Sequence, residues 1–234
     1  MRNIFLSCLF YSSLLGGIPF KSGETLRYNA SFGGVSAANA SLKVIGKEKF
    51  SDTMTYHVQF TARSKGLISY LFPINDKIDL WLSEDSLFTI KESSMIKEGS
   101  YEYSREMILD HQSGSVLLEN DTLQIPRGTQ SPYSLFYFFR NKDIASMASD
   151  TLNTIQGKKI TPLSILIEED IEIIVPAGKF SCTKVTPVRS NRKNFKNRSQ
   201  MSILFSNDDH QYPVKIWLTM KYGSLVLELD SIIN

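Results

Sequence analysis

The sequence predicts a mainly β, single-domain fold: a curved antiparallel sheet of about twelve strands closing into a barrel, half-barrel or sandwich, with one buried aromatic helix. Three observations predict it. Beyond Gly23 the chain is a near-continuous train of short alternating apolar and polar runs. The breaks between runs are short and rich in Gly, Asn, Asp and Ser, and one aromatic segment alone departs from the alternation. In the clearest run, Tyr56, Val58, Phe60 and Ala62 fall on one face and His57, Gln59, Thr61 and Arg63 on the other, the period of a half-buried strand.

Taken in order, strands are expected at 24–32, 38–45, 53–63, 76–82, 87–95 and 101–109. Gly33-Gly34, Gly46, Ser51-Asp52, residues 83–86 and Glu98-Gly99 separate them, residues that tolerate positive φ or close their own side-chain turns. A compact hairpin follows at 116–118 and 122–125, ended by Pro126. Ser131 as N-cap, Pro132 at the first helical position and Leu135, Phe138 and Phe139 at i, i+3 and i+4 predict a helix over 131–140. Phe136 widens its apolar side, so the helix is expected to lie across the concave face as a plug. Strands resume at 152–155, 160–167, 171–175 and 179–188, with residues 168–170 read as a turn, and close with 201–205, 212–220 and 225–229. So many strands are uncomfortable in a flat open sheet, and short breaks favour a meander.

The 234 residues suffice for one core, and 42% hydrophobic with 11% aromatic content excludes wholesale disorder. A formal net charge of +2 is too small to mark nucleic acid as a partner. Arg2 followed by an apolar stretch over 4–15, with Gly16-Gly17 behind it, reads as a signal peptide within residues 1–20, leaving 21–234 as one periplasmic β domain without a transmembrane span. Only seven residues precede Cys8, too few for a lipoprotein leader, and its loss with the leader leaves Cys182 without a disulfide partner. Cys182 reads as a small packed apolar residue.

Catalytic motifs are not found, and the expected protein is not an enzyme. His57, His111 and His210 sit in no metal-ligand spacing, and no nucleophile elbow, phosphate loop or dinucleotide fingerprint occurs, so neither metal nor cofactor is expected. Asp208-Asp209-His210 is the sharpest constellation, but adjacent side chains of an extended segment point apart, and a turn is the expected role. Arg189, Arg192, Lys193, Lys196 and Arg198 form a basic loop between two strands, either a solvated hairpin or a contact for anionic headgroups. Trp81 and Trp217 alternate out of register with the apolar residues of their strands, so both faces there carry apolar mass. This is either two-sided burial or the wall of a groove for an apolar ligand, with Phe136 and Phe139 as further candidate lining.

Five segments, in order, resemble the DUF3108 family of exported bacterial proteins of unknown function. They are Gly23-Glu24-Thr25-Leu26-Arg27-Tyr28, Ala37-Ala38-Asn39-Ala40-Ser41-Leu42, residues 131–140, Val175-Pro176-Ala177-Gly178-Lys179-Phe180, and residues 205–214. Ala38 stands where the family usually has Gly. The resemblance implies a periplasmic β protein and brings no catalytic residues. The expected function is a binding or carrier module for an apolar or lipid-like envelope component; the alternative is a scaffold for envelope proteins, and a hydrolase with a dispersed site ranks third.

Overall fold

A computed structural model of the chain describes residues 17–119, 121–148, 150–189, 200–220 and 223–234. Fourteen strands form one antiparallel sheet. Eight run as a meander: β1 (Thr25–Phe32), β2 (Val35–Phe50), β3 (Thr53–Ser64), β4 (Asn75–Ser83), β5 (Thr89–Glu98), β6 (Tyr101–Asp110), β7 (Ser115–Leu118) and β8 (Asp121–Gln124). A second meander comprises β9 (Thr151–Gln156), β10 (Lys159–Val175), β11 (Gly178–Arg189), β12 (Gln200–Ser206), β13 (Pro213–Met220) and β14 (Gly223–Ile233). The two meanders meet where β1 pairs with β14, so the order runs from β8 to β1, then from β14 to β9.

The sheet is not closed. Its end strands β8 and β9 share no ladder among the described residues, yet they approach one another. Ile155 of β9 packs with Met107, Leu109, Val116, Leu118 and Ile125 in a small second core, and Lys158 pairs with Asp121 across the seam. Gln130 donates its N–H to Asn153 (2.8 Å) and accepts that of Ile155 (2.9 Å), so the chain leaving β8 covers part of β9. The expected curling therefore occurs, but side chains and one bridging residue bring the ends together, and no continuous ladder does.

Two breaks expected from sequence lie inside strands. Gly46 and residues 168–170 are register shifts within β2 and β10. An extra residue can be looped out of the ladder, bending the strand without ending it, and Asp170 takes φ 58° to do so.

The helical segment is shorter than expected. A single turn, α2 (Leu135–Phe138), passes into a 3₁₀ turn over Phe139–Asn141. The regular turn begins only at Leu135; upstream, Ser131 Oγ accepts the Tyr133 N–H (3.2 Å) while its hydroxyl donates to the buried carboxylate of Glu92. The burial was anticipated: residues 135–140 are all buried, and Phe139 is 0% exposed. Phe136 meets Phe60 of β3 at a ring distance of 6.2 Å, and Phe139 meets Phe205 of β12 at 5.9 Å, so α2 spans the concavity between the meanders. The core around it draws Leu26, Val58, Leu80, Ile203, Ile216 and Leu229 from the inner faces of six strands.

Of the export segment predicted over 1–20, residues 1–16 lie outside the described residues. Phe20 belongs to the folded body, packing edge-on against Tyr56 (5.1 Å) and Tyr137 (5.2 Å).

Candidate functional site

The four aromatic residues expected to line a ligand groove do not converge. Phe136 and Phe139 point into the core, whereas Trp81 and Trp217 stand on the opposite face of the sheet from Ile78, Leu80, Leu82 and from Val214, Ile216, Leu218. Trp81 stacks on His57 at 4.5 Å, its indole N–H donates to Glu48, and the Lys91 ammonium lies 5.0 Å above the ring. His57 reaches Glu48 at 3.3 Å and Asp79 at 3.0 Å. Burial alone would raise the Asp79 pKa, but hydrogen bonds from His57, Gln59 and Lys77 outweigh it and hold the carboxyl below the usual range. Trp217 carries Lys215 at 5.0 Å over its ring. Trp81 is thus held by polar partners, whereas Trp217 is half-buried and also packs against hydrophobic residues of the main core.

Of the basic loop, Arg189 ends β11 in an exposed position, while Arg192, Lys193, Lys196 and Arg198 lie outside the described residues. Asp208 accepts the N–H groups of His210 (2.9 Å) and Gln211 (3.1 Å), an Asx turn joining β12 to β13. A shallow polar cleft of about 240 Å³ opens beside it, lined by Asp143, Glu169, Asp170, Thr183 and Asn207 among others. Cys182 is buried close by, and desolvation pushes its thiol up to about 11, which keeps it protonated.

Inside the sheet lies a polar network not anticipated from sequence. Glu92 of β5 is almost wholly buried and accepts from Ser131, from Ser94 (2.5 Å) and from Arg105 (3.1 Å). Gln130 Oε1 accepts from Ser134 (2.7 Å) and from the Thr89 hydroxyl (3.1 Å). These bonds lock the entry to α2 onto β5. Ser131 donates to Glu92, so its oxygen is not activated by a histidine, and the arrangement positions a segment of chain.

A different feature stands apart on the surface. The connection from β3 to β4 carries a one-turn helix, α1 (Ile68–Leu71), whose tip is almost fully exposed: Leu67 81%, Tyr70 86%, Leu71 80% and Phe72 48%. Antiparallel order puts the β1–β2, β3–β4 and β5–β6 turns on one rim of the sheet. That rim holds more than half of the large apolar side chains exposed among the described residues, namely Phe32, Val35, Leu67, Tyr70, Leu71, Phe72, Met95 and Tyr101. Such clustering is unusual, because exposed apolar residues ordinarily occur singly.

The base of this tip is fixed. Ser64 and Ile74 exchange bonds, with Ser64 N–H to the Ile74 carbonyl (3.1 Å) and Ile74 N–H to the Ser64 hydroxyl (2.9 Å). Lys65 N–H donates to Ala37 (2.9 Å), and Gly99 N–H to Pro73 (2.8 Å). Gly99 adopts φ +61°, and a Cβ there would lie 2.9 Å from the Phe72 ring, so glycine allows that ring to rest on the β5–β6 turn.

Asp76, buried beneath the tip, accepts the Lys97 N–H at 2.9 Å. Desolvation raises its pKa to about 6; the Lys97 hydrogen bond opposes the rise and Glu98 adds to it. Below about pH 4 the carboxyl is protonated in both folded and unfolded chains. Between about pH 4 and 6 the unfolded chain releases the proton first, so stability falls as pH rises through that window and stays lower above it. The expected loss is about 2 kcal/mol. Urea midpoints of wild type and Asp76→Asn at pH 4 and 7 check it: the substitution should remove this component, and equal pH slopes in the two proteins would refute it.

A family model described as a protein of unknown function, DUF3108, matches residues 27–230. No curated protein matches the chain. Among solved structures, the chain is similar to a β-barrel-like protein of the domain of unknown function DUF1849 from Brucella abortus, at 13% identity over 91% of this chain and 97% of that one, with a TM-score of 0.55. That likeness shows a shared fold. A lipoprotein candidate from Parabacteroides distasonis aligns at 11% identity over 93% of this chain and 99% of its own, with a TM-score of 0.44. An exported-protein candidate with a YmcC-like fold from Bacteroides fragilis aligns at 13% identity over the same shares, with a TM-score of 0.40. Among the described residues no helix is long and apolar enough to cross a membrane.

Proposed function

The chain belongs to the DUF3108 family, whose description carries no activity, and on that premise we propose that it is a non-catalytic binding module of the cell envelope, exported to the periplasm. It holds an apolar or lipid-like envelope component against its exposed rim. The observation that carries this reading is the contrast between the two apolar regions: the concave face is occupied by α2 and its aromatic neighbours, while the rim leaves its apolar side chains open to solvent. On this reading the ligand sits on the outside of the fold, and not among Trp81, Phe136, Phe139 and Trp217 as expected from sequence. The basic, apolar leader supports export. Assembly with another protein by strand addition is less favoured, since β8 is only four residues long and short edge strands resist pairing.

Native mass spectrometry of protein purified without detergent tests the reading, followed by titration with a lysophospholipid. Retained lipid or saturable uptake is expected. A protein that carries no lipid and ignores added lysophospholipid would overturn it.

A further inference from the structure

Building on that reading, we propose that the α1 tip is a wedge that enters an anionic phospholipid bilayer and seats this rim of the sheet on the membrane surface. Shape is the first argument. Leu67, Tyr70 and Leu71 project with four-fifths or more of their surface exposed, forming an apolar point at the end of the connection. A soft acyl boundary receives such a point without a preformed pocket, and amphipathic elements bury about 5–10 Å into it.

The second argument is polar bookkeeping within the tip. Ser69 N–H and its hydroxyl both donate to Gly66, Tyr70 and Leu71 N–H to Leu67, and Phe72 N–H to Ile68. These four N–H groups are already paired and need no water when the tip leaves it, which lowers the cost of placing this backbone in a lipid phase. The third argument is charge. Arg63 and Lys65, just before the tip, donate to the amide oxygens of Asn75, Asn29 and Asn39, and no carboxylate among the described residues lies within 4 Å of either. Two cations beside an apolar point, both free of acidic partners, match a layer of negatively charged headgroups. Phe32 and Val35 on the neighbouring turn extend the apolar contact.

Flotation of the mature protein with vesicles of phosphatidylcholine alone, or mixed with phosphatidylglycerol, tests the inference. Wild type should float with the anionic vesicles and lose binding as salt is raised. Leu67→Ser with Leu71→Ser should weaken that binding by at least about tenfold while leaving the unfolding midpoint unchanged, since both side chains are exposed. Arg63→Gln with Lys65→Gln should reduce the preference for phosphatidylglycerol. In a Leu71→Trp variant, tryptophan fluorescence should shift to the blue and be quenched by bromine-labelled acyl chains. Wild type and the serine variant floating equally would overturn the wedge while leaving lipid binding by the rim intact. A protein that takes up lysophospholipid but ignores all vesicles would do the same, and one that binds neither would overturn both. Loss of a co-purifying envelope protein from the serine variant, with no vesicle binding by wild type, would replace the bilayer with a protein partner and also refute the proposal.

Discussion

Replacing Arg140 by Met is expected to destabilise the folded chain by about 3–5 kcal/mol, measured by urea unfolding at neutral pH. Arg140 and Glu24 are both buried, and the guanidinium grips both carboxylate oxygens, Nη1 to Oε1 at 2.6 Å and Nη2 to Oε2 at 3.0 Å. Its Nε donates to the His210 carbonyl (3.0 Å) and Nη2 to that of Pro19 (3.4 Å). The rings of Phe20, Tyr212 and Tyr137 surround it at 5.1, 5.3 and 5.8 Å. One side chain thus joins the end of the helical segment to the residue that enters β1, to the β12–β13 turn and to the chain further upstream. Without it Glu24 would be left as a buried, unpaired charge, and that residue, more than the lost attraction, sets the size of the effect. Adding Glu24→Gln to the Arg140→Met protein should therefore recover part of the loss. A single substitution costing under about 1 kcal/mol would show the pair to be dispensable.

Phe139→Ala should cost a similar amount, about 3–5 kcal/mol. The ring is fully buried between Phe138 and Phe205, at 5.5 and 5.9 Å, midway between the two meanders. Strands on either side are tied into one sheet and cannot collapse onto the vacated space, so a cavity should persist. A dry apolar cavity binds small apolar molecules. Benzene is accordingly expected to raise the unfolding midpoint of the variant and leave wild type unchanged. If wild type responded equally, space for such a ligand would already exist beside the helix.

Much of this architecture was legible in the sequence, because strands with one buried face advertise themselves by period. Tyr56, Val58, Phe60 and Ala62 do face the core side of β3. The out-of-register tryptophans were legible too, and the outer face is where they stand. Less visible were features set by distant partners. Glu92 reads as an ordinary polar position in a strand until Ser131 and Arg105 arrive from elsewhere in the chain. Ser131 has the local marks of a helix cap and its oxygen does accept the Tyr133 N–H, but the carboxylate that takes its proton comes from a strand distant in sequence. Gly46 and residues 168–170 look like breaks because a bulge and a turn use the same residue types. The tip is masked in the sequence because Leu67, Ile68, Tyr70, Leu71 and Phe72 resemble core material in composition. Its signal was position: a non-alternating apolar run bounded by Gly66 and Pro73, in a connection between strands where polar residues are the rule.

The pairing of β1 with β14 sets a timetable for folding. A chain that emerges from its N-terminus presents β1 early, but the partner of that strand is the last strand of the sheet to emerge. Until release of the C-terminal residues, the first meander has an open edge at β1 and the second an open edge at β13, each a template for mispairing. Contacts so far apart in sequence form slowly. The eleven-residue β14 is therefore the commitment step that turns two half-sheets into one, and truncation before Gly223 should leave a chain that aggregates rather than a slightly shortened domain.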